Sequence, residues 1–287
     1  MRVLFNSSIL RAPLTGIGHY AAEIASALQR DERFQMHFFD GRKVISKPGD
    51  SPATTAQGAA LLRHLPGAYQ FRRGREQFHF NRAVVRLQPQ LYHDPSLWPL
   101  HFDGPTVMTV HDLTHIDYAW TQPRARVRAI EKHLPDALRK AQRVLVDSQF
   151  IGAELQRHYG VAHSKIVVAP LAPGALFHPR REAQLTATLQ RYGLRYRHYF
   201  LFIGTLEPRK NLITALRAHA SLPKKLRSEL PLAVVGGDGW LTHDIEKELD
   251  AAIASGGVQR LGYIDRDDLT DVLAGAKLFL FPSLYEG

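Results

Sequence analysis

Short apolar runs alternate with helical patterns through nearly the whole chain, and this alternation limits the fold more than any other feature. The runs lie at 2–5, 34–39, 91–93, 105–110, 143–146 and 165–168, then again at 199–203, 232–235, 258–261 and 278–281. Between them apolar residues recur at helical spacing, as Ile17, Ala21, Ile24 and Leu28 do, and similar patterns cover 124–141, 180–192, 212–220, 242–254 and 267–274. Strands separated by helices pair side by side in parallel, and the helices then cover both faces of the sheet. The expected class is α/β, with two doubly wound domains. A proline-rich stretch at 169–179 divides them, so the domains are expected at 1–172 and 173–287. Residues 40–60, rich in Gly, Pro, Ser, Thr and Ala, read as a long loop, and Pro135 is expected to break or kink its helix.

In open sheets of this kind ligands bind beyond the carboxyl ends of the strands, and the cleft between two such domains is the expected site. One strand-end loop carries the strongest chemistry: Gly204-Thr205-Leu206-Glu207-Pro208-Arg209-Lys210-Asn211-Leu212. It joins the run at 199–203 to a helical pattern. A helix start offers unpaired N–H groups and partial positive charge, and two adjacent cations there suit a phosphate or diphosphate. Gly204 would let the backbone approach the ligand. The competing reading is an ordinary loop with a solvated Arg and Lys. Gly16 and Gly18 open a helix after the first strand in the same way, without the third glycine of a dinucleotide fingerprint. His111, Asp112 and His115 follow another strand; their spacing suits a loop rather than one helix face, so metal binding is not expected. Ser148 reads as an N-cap, and Asp265-Arg266-Asp267 as a cap rather than a metal motif.

Charge narrows the partners. The formal net charge is +10, which favours an anionic partner such as a nucleotide, a lipid phosphate, a membrane surface or nucleic acid. Residues 63–86 hold Arg63, Arg72, Arg73, Arg75, Arg82 and Arg86 against the single acid Glu76. Leu61, Leu62, Leu65, Tyr69, Phe71, Phe78 and Phe80 lie among them. Such a stretch suits an anionic membrane, stacked bases of nucleic acid, or a helix with a solvated basic face. The chain has no cysteine, so disulfides and thiolate metal sites are excluded. Met1 leads directly into a strand with no signal-peptide pattern, and a cytoplasmic protein, possibly peripheral on the inner face of the membrane, is expected.

Taken together, Gly204-Thr-Leu-Glu-Pro-Arg-Lys-Asn-Leu212, Val235-Gly-Gly-Asp-Gly239, Gly262-Tyr-Ile264 and Phe281-Pro-Ser-Leu-Tyr-Glu-Gly287 form an ordered set. Gly16-Ile-Gly-His-Tyr20, Val110-His-Asp-Leu113, Ser148-Gln-Phe150 and Glu154-Leu155 add to it. The chain resembles the family 4 retaining glycosyltransferases of the GT-B fold, two Rossmann-like domains, and most closely their mannosyltransferase-like bacterial members. The resemblance implies transfer of a sugar from a nucleotide diphosphate donor with retention. GDP-mannose is the expected donor and a UDP-sugar the alternative. The acceptor is expected to be a glycan or polyprenyl-diphosphate-linked, as in polysaccharide or lipopolysaccharide biosynthesis. Arg209 and Lys210 would hold the diphosphate, His111 would reach the transferring sugar, and Glu286 would contact donor-sugar hydroxyls. Gly16, Gly18, Gly204 and Gly237 would lie along the donor, with backbone at Tyr263 and Ile264 meeting the base. Arg72, Arg73 and Arg75 would belong to an acceptor or membrane patch. No cofactor and no metal would be needed, because the cation pair takes the metal's part.

The chain departs from the family pattern at its end. The second glutamate, seven residues beyond the first, the Gly-Phe-Gly-Leu-Pro run between them and the terminal helix would all fall past Gly287. A truncated second domain, with impaired activity, is therefore expected. Two other readings stay open: a non-catalytic nucleotide-sugar-binding remnant, and a nucleic-acid-binding protein using the basic stretch, although no nucleic-acid partner is expected.

Overall fold

The computed structural model describes residues 1–10, 14, 16–48 and 68–287, with side chains of 68–70 excepted. Arg63, Leu61, Leu62, Leu65, Pro13, Thr15, the 49–60 part of the expected loop and the Tyr69 side chain fall outside these residues. Two compact units form. The first comprises Met1–Leu113, Ala129–Pro170 and Gly287, and the second Thr114–Arg128 and Leu171–Glu286.

In the first unit the strands are β1 (Arg2–Asn6), β2 (Gln35–Phe39), β3 (Val44–Ile45), β4 (Leu91–Asp94), β5 (Thr106–Val110), β6 (Arg143–Val146) and β7 (Ile166–Val168), ordered β3-β2-β1-β4-β5-β6-β7. All neighbours are parallel except β2 with β3. The strand β3 lies within the expected loop. A turn at Asp40 reverses the chain, with Asp40 Oδ1 accepting from the backbone of Arg42 and Lys43 at 2.8 Å each, so a two-residue antiparallel edge forms without an apolar run to announce it. The helices are α1 (Gly16–Arg30), α2 (Ala68–Leu87), α3 (Arg124–Lys140) and α4 (Gln149–Tyr159). Alternate strand residues face opposite sides. Leu4 and Phe39 pack with Phe80 and Ala83 of α2, whereas Phe5 and Phe38 pack with Ala21 and Ala25 of α1. Pro135 does not interrupt α3, because Ile130, Leu134 and Leu138 on either side of it are buried and hold the helix in place. Ser148 caps α4 as expected, its Oγ accepting from Ile151 N at 3.2 Å.

The second unit repeats the logic with α5 (Glu182–Arg191), β8 (Phe200–Ile203), α6 (Leu212–Ala220), α7 (Lys224–Glu229), β9 (Leu232–Val235), α8 (His243–Ala254), β10 (Val258–Gly262), α9 (Arg266–Gly275) and β11 (Leu278–Leu280). Its parallel sheet has the order β10-β9-β8-β11. Leu201, Ala233 and Val235 pack with Leu185 and Leu189 on one face; Phe202, Leu232 and Val234 pack with Leu212, Leu216 and Leu249 on the other. Both sheets therefore show strands buried on both faces, which explains why their sequences read as continuous apolar runs.

The segment 114–128, placed with the first domain by sequence, belongs with the second unit. The indole Nε1 of Trp240 donates to Thr121 O at 2.8 Å, the Arg126 guanidinium lies 5.8 Å from the Trp240 ring centroid, and the Tyr118 and Tyr285 rings are 5.4 Å apart. Asp265 stands at the N-cap position of α9 but makes no side-chain cap; its carbonyl accepts from Leu269 N instead. No helix of the described residues is long and apolar enough to cross a membrane.

Candidate active site

In the second unit the chain direction reverses about β8, whose neighbours β9 and β11 are reached by connections in opposite directions. At such a switch point the two outgoing loops separate and leave a crevice. The loops here are 204–211 and 281–286, and they carry the charged residues singled out by sequence. Arg209 Nη1 donates to Glu286 Oε2 at 2.8 Å and to Tyr285 O at 2.8 Å, and Lys210 Nζ donates to Glu286 Oε1 at 2.6 Å. Each carboxylate oxygen thus meets one cation. Arg209 Nη2 also pairs with Glu207 Oε1 at 2.9 Å. The Arg209 and Lys210 side chains are only 13% and 19% exposed, so neither is the solvated loop cation of the competing reading. Burial alone would raise the Glu286 pKa. Hydrogen bonds from Lys210 and Ser283, with the charges of Lys210 and Arg209, outweigh it and hold the carboxyl below its ordinary value.

Local geometry fixes these groups. Pro208–Lys210 form a single 3₁₀ turn, and Asn211 follows with φ 56°, a left-handed conformation that asparagine tolerates. Its side chain ties the two loops, donating from Nδ2 to Pro282 O at 3.0 Å, while Leu284 N donates to Arg209 O at 2.9 Å. The loop after β9 runs alongside: Gly204 N donates to Val235 O, and Leu206 N to Gly237 O. A Cβ on Gly236 would stand 1.9 Å from Gly204 O, and one on Gly239 2.3 Å from Leu206 O. Close backbone approach therefore demands glycine at 236 and 239, whereas the Cβ position of Gly237 is open. Gly204 packs against the Lys210 stem, 3.4 Å from Cγ. Tyr263 is exposed and Ile264 buried just beyond β10, on the same sheet edge, and Gly236 N donates to Gly262 O at 2.8 Å.

In the first unit the switch lies at β1 and β4. His111, at the carboxyl end of β5, contacts Asp147 Oδ2 through Nδ1 at 2.7 Å and Pro95 O through Nε2 at 3.2 Å. Both ring nitrogens of His111 are thus engaged, which weighs against its use as a metal ligand. Asp94 is fully buried and accepts from Asn6 Nδ2, Tyr92 OH, Ser96 N and Ser96 Oγ. Gly16 is exposed at the start of α1, and Gly18 is buried, its Cβ position 3.1 Å from Leu14 Cδ2.

The basic stretch is resolved in α2. Phe80 and Ala83 are buried, whereas Phe71, Phe78 and Val85 are exposed, and a seven-residue spacing puts those three on one helix face. Arg75 and Arg82 lie on that face, with the Arg82 guanidinium 5.9 Å from the Phe78 centroid. Arg73 does not belong to the exposed patch. It turns back and donates to Trp98 O at 2.6 Å and to Pro99 O, because its position on the helix points towards the loop after β4.

Sequence reasoning missed Glu207, Asn211, Asp147, Gly236, Gly239 and Trp240. Asp147 was reachable: if β5 and β6 pair in register at Val110 and Val146, the next residues must be neighbours.

Two doubly wound units, each with polar groups gathered at its switch-point edge, define a GT-B glycosyltransferase. A family model described as Glycosyltransferase Family 4 matches residues 14–172, and one described as Glycosyl transferases group 1 matches residues 193–287. The chain belongs to glycosyltransferase family 4. It is 32% identical over 298 aligned positions to the O-antigen chain mannosyltransferase B of Escherichia coli, covering 100% of this chain and 77% of that protein. It is 26% identical over 188 positions to the alpha-D-kanosaminyltransferase of Streptomyces kanamyceticus, covering 63% and 47%. Among solved structures it is similar to sucrose-phosphate synthase from Thermosynechococcus elongatus, with TM-score 0.72, 18% identity and coverage of 100% and 76%. It is also similar to Anabaena HepE in complex with UDP-glucose, with TM-score 0.66, 16% identity and coverage of 99% and 74%.

Proposed function

We propose that this glycosyltransferase moves mannose from GDP-mannose, with retention, onto a glycan carried by a polyprenyl diphosphate. The observation that carries the reading is the convergence of Arg209, Lys210 and Glu286 at the β8–β11 switch point. Loss of the sugar leaves negative charge on the departing nucleoside diphosphate. Cations fixed in place before the reaction stabilise that charge without reorganising. Lys210 uses one of its three N–H donors on Glu286, and the carboxylate is an acceptor suited to sugar hydroxyls. The cations take the part of a metal, and none is required. The mannosyl assignment draws on the E. coli relative; the UDP-glucose held by HepE keeps a UDP-sugar as the second choice. Calorimetric titration with GDP and with UDP tests the reading. Binding of one of them, weakened at least ten-fold by Lys210→Ala, is expected, and equal binding by wild type and variant would refute it.

An acceptor of this kind sits at an anionic membrane, and α2 supplies the complementary surface. Phe71, Phe78 and Val85 would enter the headgroup layer while Arg75 and Arg82 meet lipid phosphates. Sedimentation with phosphatidylglycerol vesicles is expected to pull down the protein, and Phe71→Ser with Phe78→Ser to abolish this. Equal binding to pure phosphatidylcholine would count against the surface, and salt-sensitive binding to oligonucleotides instead would favour nucleic acid.

A further inference from the structure

His111 and Asp147 stand one residue past the paired positions Val110 and Val146 of adjacent parallel strands. Their meeting is therefore a consequence of sheet register, not of loop geometry. The side chains are 12% and 9% exposed, and Nδ1 lies 2.7 Å from Oδ2. The Tyr20 ring meets the imidazole edge to face, with centroids 4.6 Å apart, and its hydroxyl lies 3.2 Å from Thr109 Oγ1. Burial raises the Tyr20 pKa, and the Asp147 charge adds to it against the bond to Thr109, so that charge is felt across the cluster.

The other ring nitrogen faces Pro95 O at 3.2 Å. A neutral imidazole has one N–H, and here two acceptors compete for it. The contact to Asp147 is shorter and charge-assisted, so it holds the proton at Nδ1. The Pro95 carbonyl is itself anchored: the buried Asp94 carboxylate binds Ser96 N at 3.0 Å and Ser96 Oγ at 2.6 Å. Without the Asp147 charge, the ring would keep only this fixed carbonyl as an acceptor and would move its N–H to Nε2.

We propose that Asp147 is a positioning residue for sugar transfer, fixing the ring plane of His111 and its Nδ1–H tautomer. The proposal rests on the reading of His111 as the side chain that meets the transferring sugar. It adds a second residue to that function, placed by the neighbouring strand.

The test joins a spectroscopic and a kinetic measurement on the full chain. Nitrogen-15 shifts of the histidine rings, with the His111 signals assigned by their loss in His111→Ala, report the tautomer without any donor. The wild type is expected to show Nδ1–H, and Asp147→Asn, which keeps the side-chain shape, to show Nε2–H. With GDP-mannose or UDP-glucose as donor, Asp147→Asn should lower kcat by about 10- to 100-fold with KM changed less than about three-fold, the range seen when a partner orienting a functional histidine is lost. His111→Ala with Asp147→Asn should fall within about two-fold of His111→Ala alone, because both act through one ring. An Nε2–H wild-type ring, losses that multiply in the double variant, or a normal rate in Asp147→Asn would each overturn the proposal. An Nδ1–H ring in a protein that turns over neither donor would also overturn it; the pair would then be structural, and the failure would lie with the transferase reading.

Discussion

Replacing Arg209 by alanine should destabilise the second unit by about 3–5 kcal/mol, the cost of removing one partner from a buried ion pair. Three contacts are lost: Glu207 Oε1 at 2.9 Å, Glu286 Oε2 at 2.8 Å and Tyr285 O at 2.8 Å. They are not equal. Glu207 has a side chain only 4% exposed, so removing its counter-charge is the dominant loss. Glu286 is 33% exposed and keeps Lys210, so its share is small. The Tyr285 bond adds about 1 kcal/mol. For a unit of this size, the sum corresponds to a fall in Tm of about 10–20 °C. Hydrogen exchange of peptides spanning β8 and β11 reads this unit separately, which matters because two units need not unfold as one. Glu207→Gln on the Arg209→Ala background should recover about half the loss by removing the buried charge itself. The Glu286 share has a defined pH sense: its folded pKa is lowered from 4.5, so the stabilisation is full above that value and is lost as pH falls through the lowered pKa. A loss below about 1 kcal/mol in Arg209→Ala, or no recovery with Glu207→Gln, would refute the idea that Arg209 neutralises a buried carboxylate.

Trp240→Phe keeps the ring area and removes the bond to Thr121 O, so protection of peptides in 114–128 should fall by about 1 kcal/mol while the core of β9 is unchanged; equal loss at both places would contradict this. His93 is buried against Phe5, with ring centroids 5.0 Å apart, and burial lowers its pKa from 6.5 to about 4. The unfolded chain binds a proton below 6.5 that the folded unit refuses until about 4, so stability of the first unit should fall as pH drops through that window, with a slope approaching about 1.4 kcal/mol per pH unit. Urea unfolding of His93→Phe should lack that component, and an unchanged pH slope would count against it.

The strands were legible because each is buried on both faces and so reads as an apolar run; every expected strand formed within a residue or two. The β2–β3 edge was not, since two residues held by an Asp40 turn carry no periodicity. Arg209, Lys210 and Glu286 stood out as residue types, yet their separation in sequence says nothing of their contact. Arg73 reads like its neighbours Arg72 and Arg75 in a list of cations, and only its bonds to Trp98 and Pro99 carbonyls set it apart.

Local sequence alone determined the alternation of strand and helix, the glycines at strand ends and the concentration of cations, because periodicity and backbone permissiveness are properties of short segments. Strand order was decided only by the tertiary structure. Placing β11 beside β8 brings Glu286 onto Arg209 and Lys210 across more than seventy residues, and pairing β5 with β6 sets Asp147 against His111. The physical reason is that a carboxylate meets its cation or its histidine only when the sheet, closed by burial of its two faces, brings distant strand ends within 3 Å.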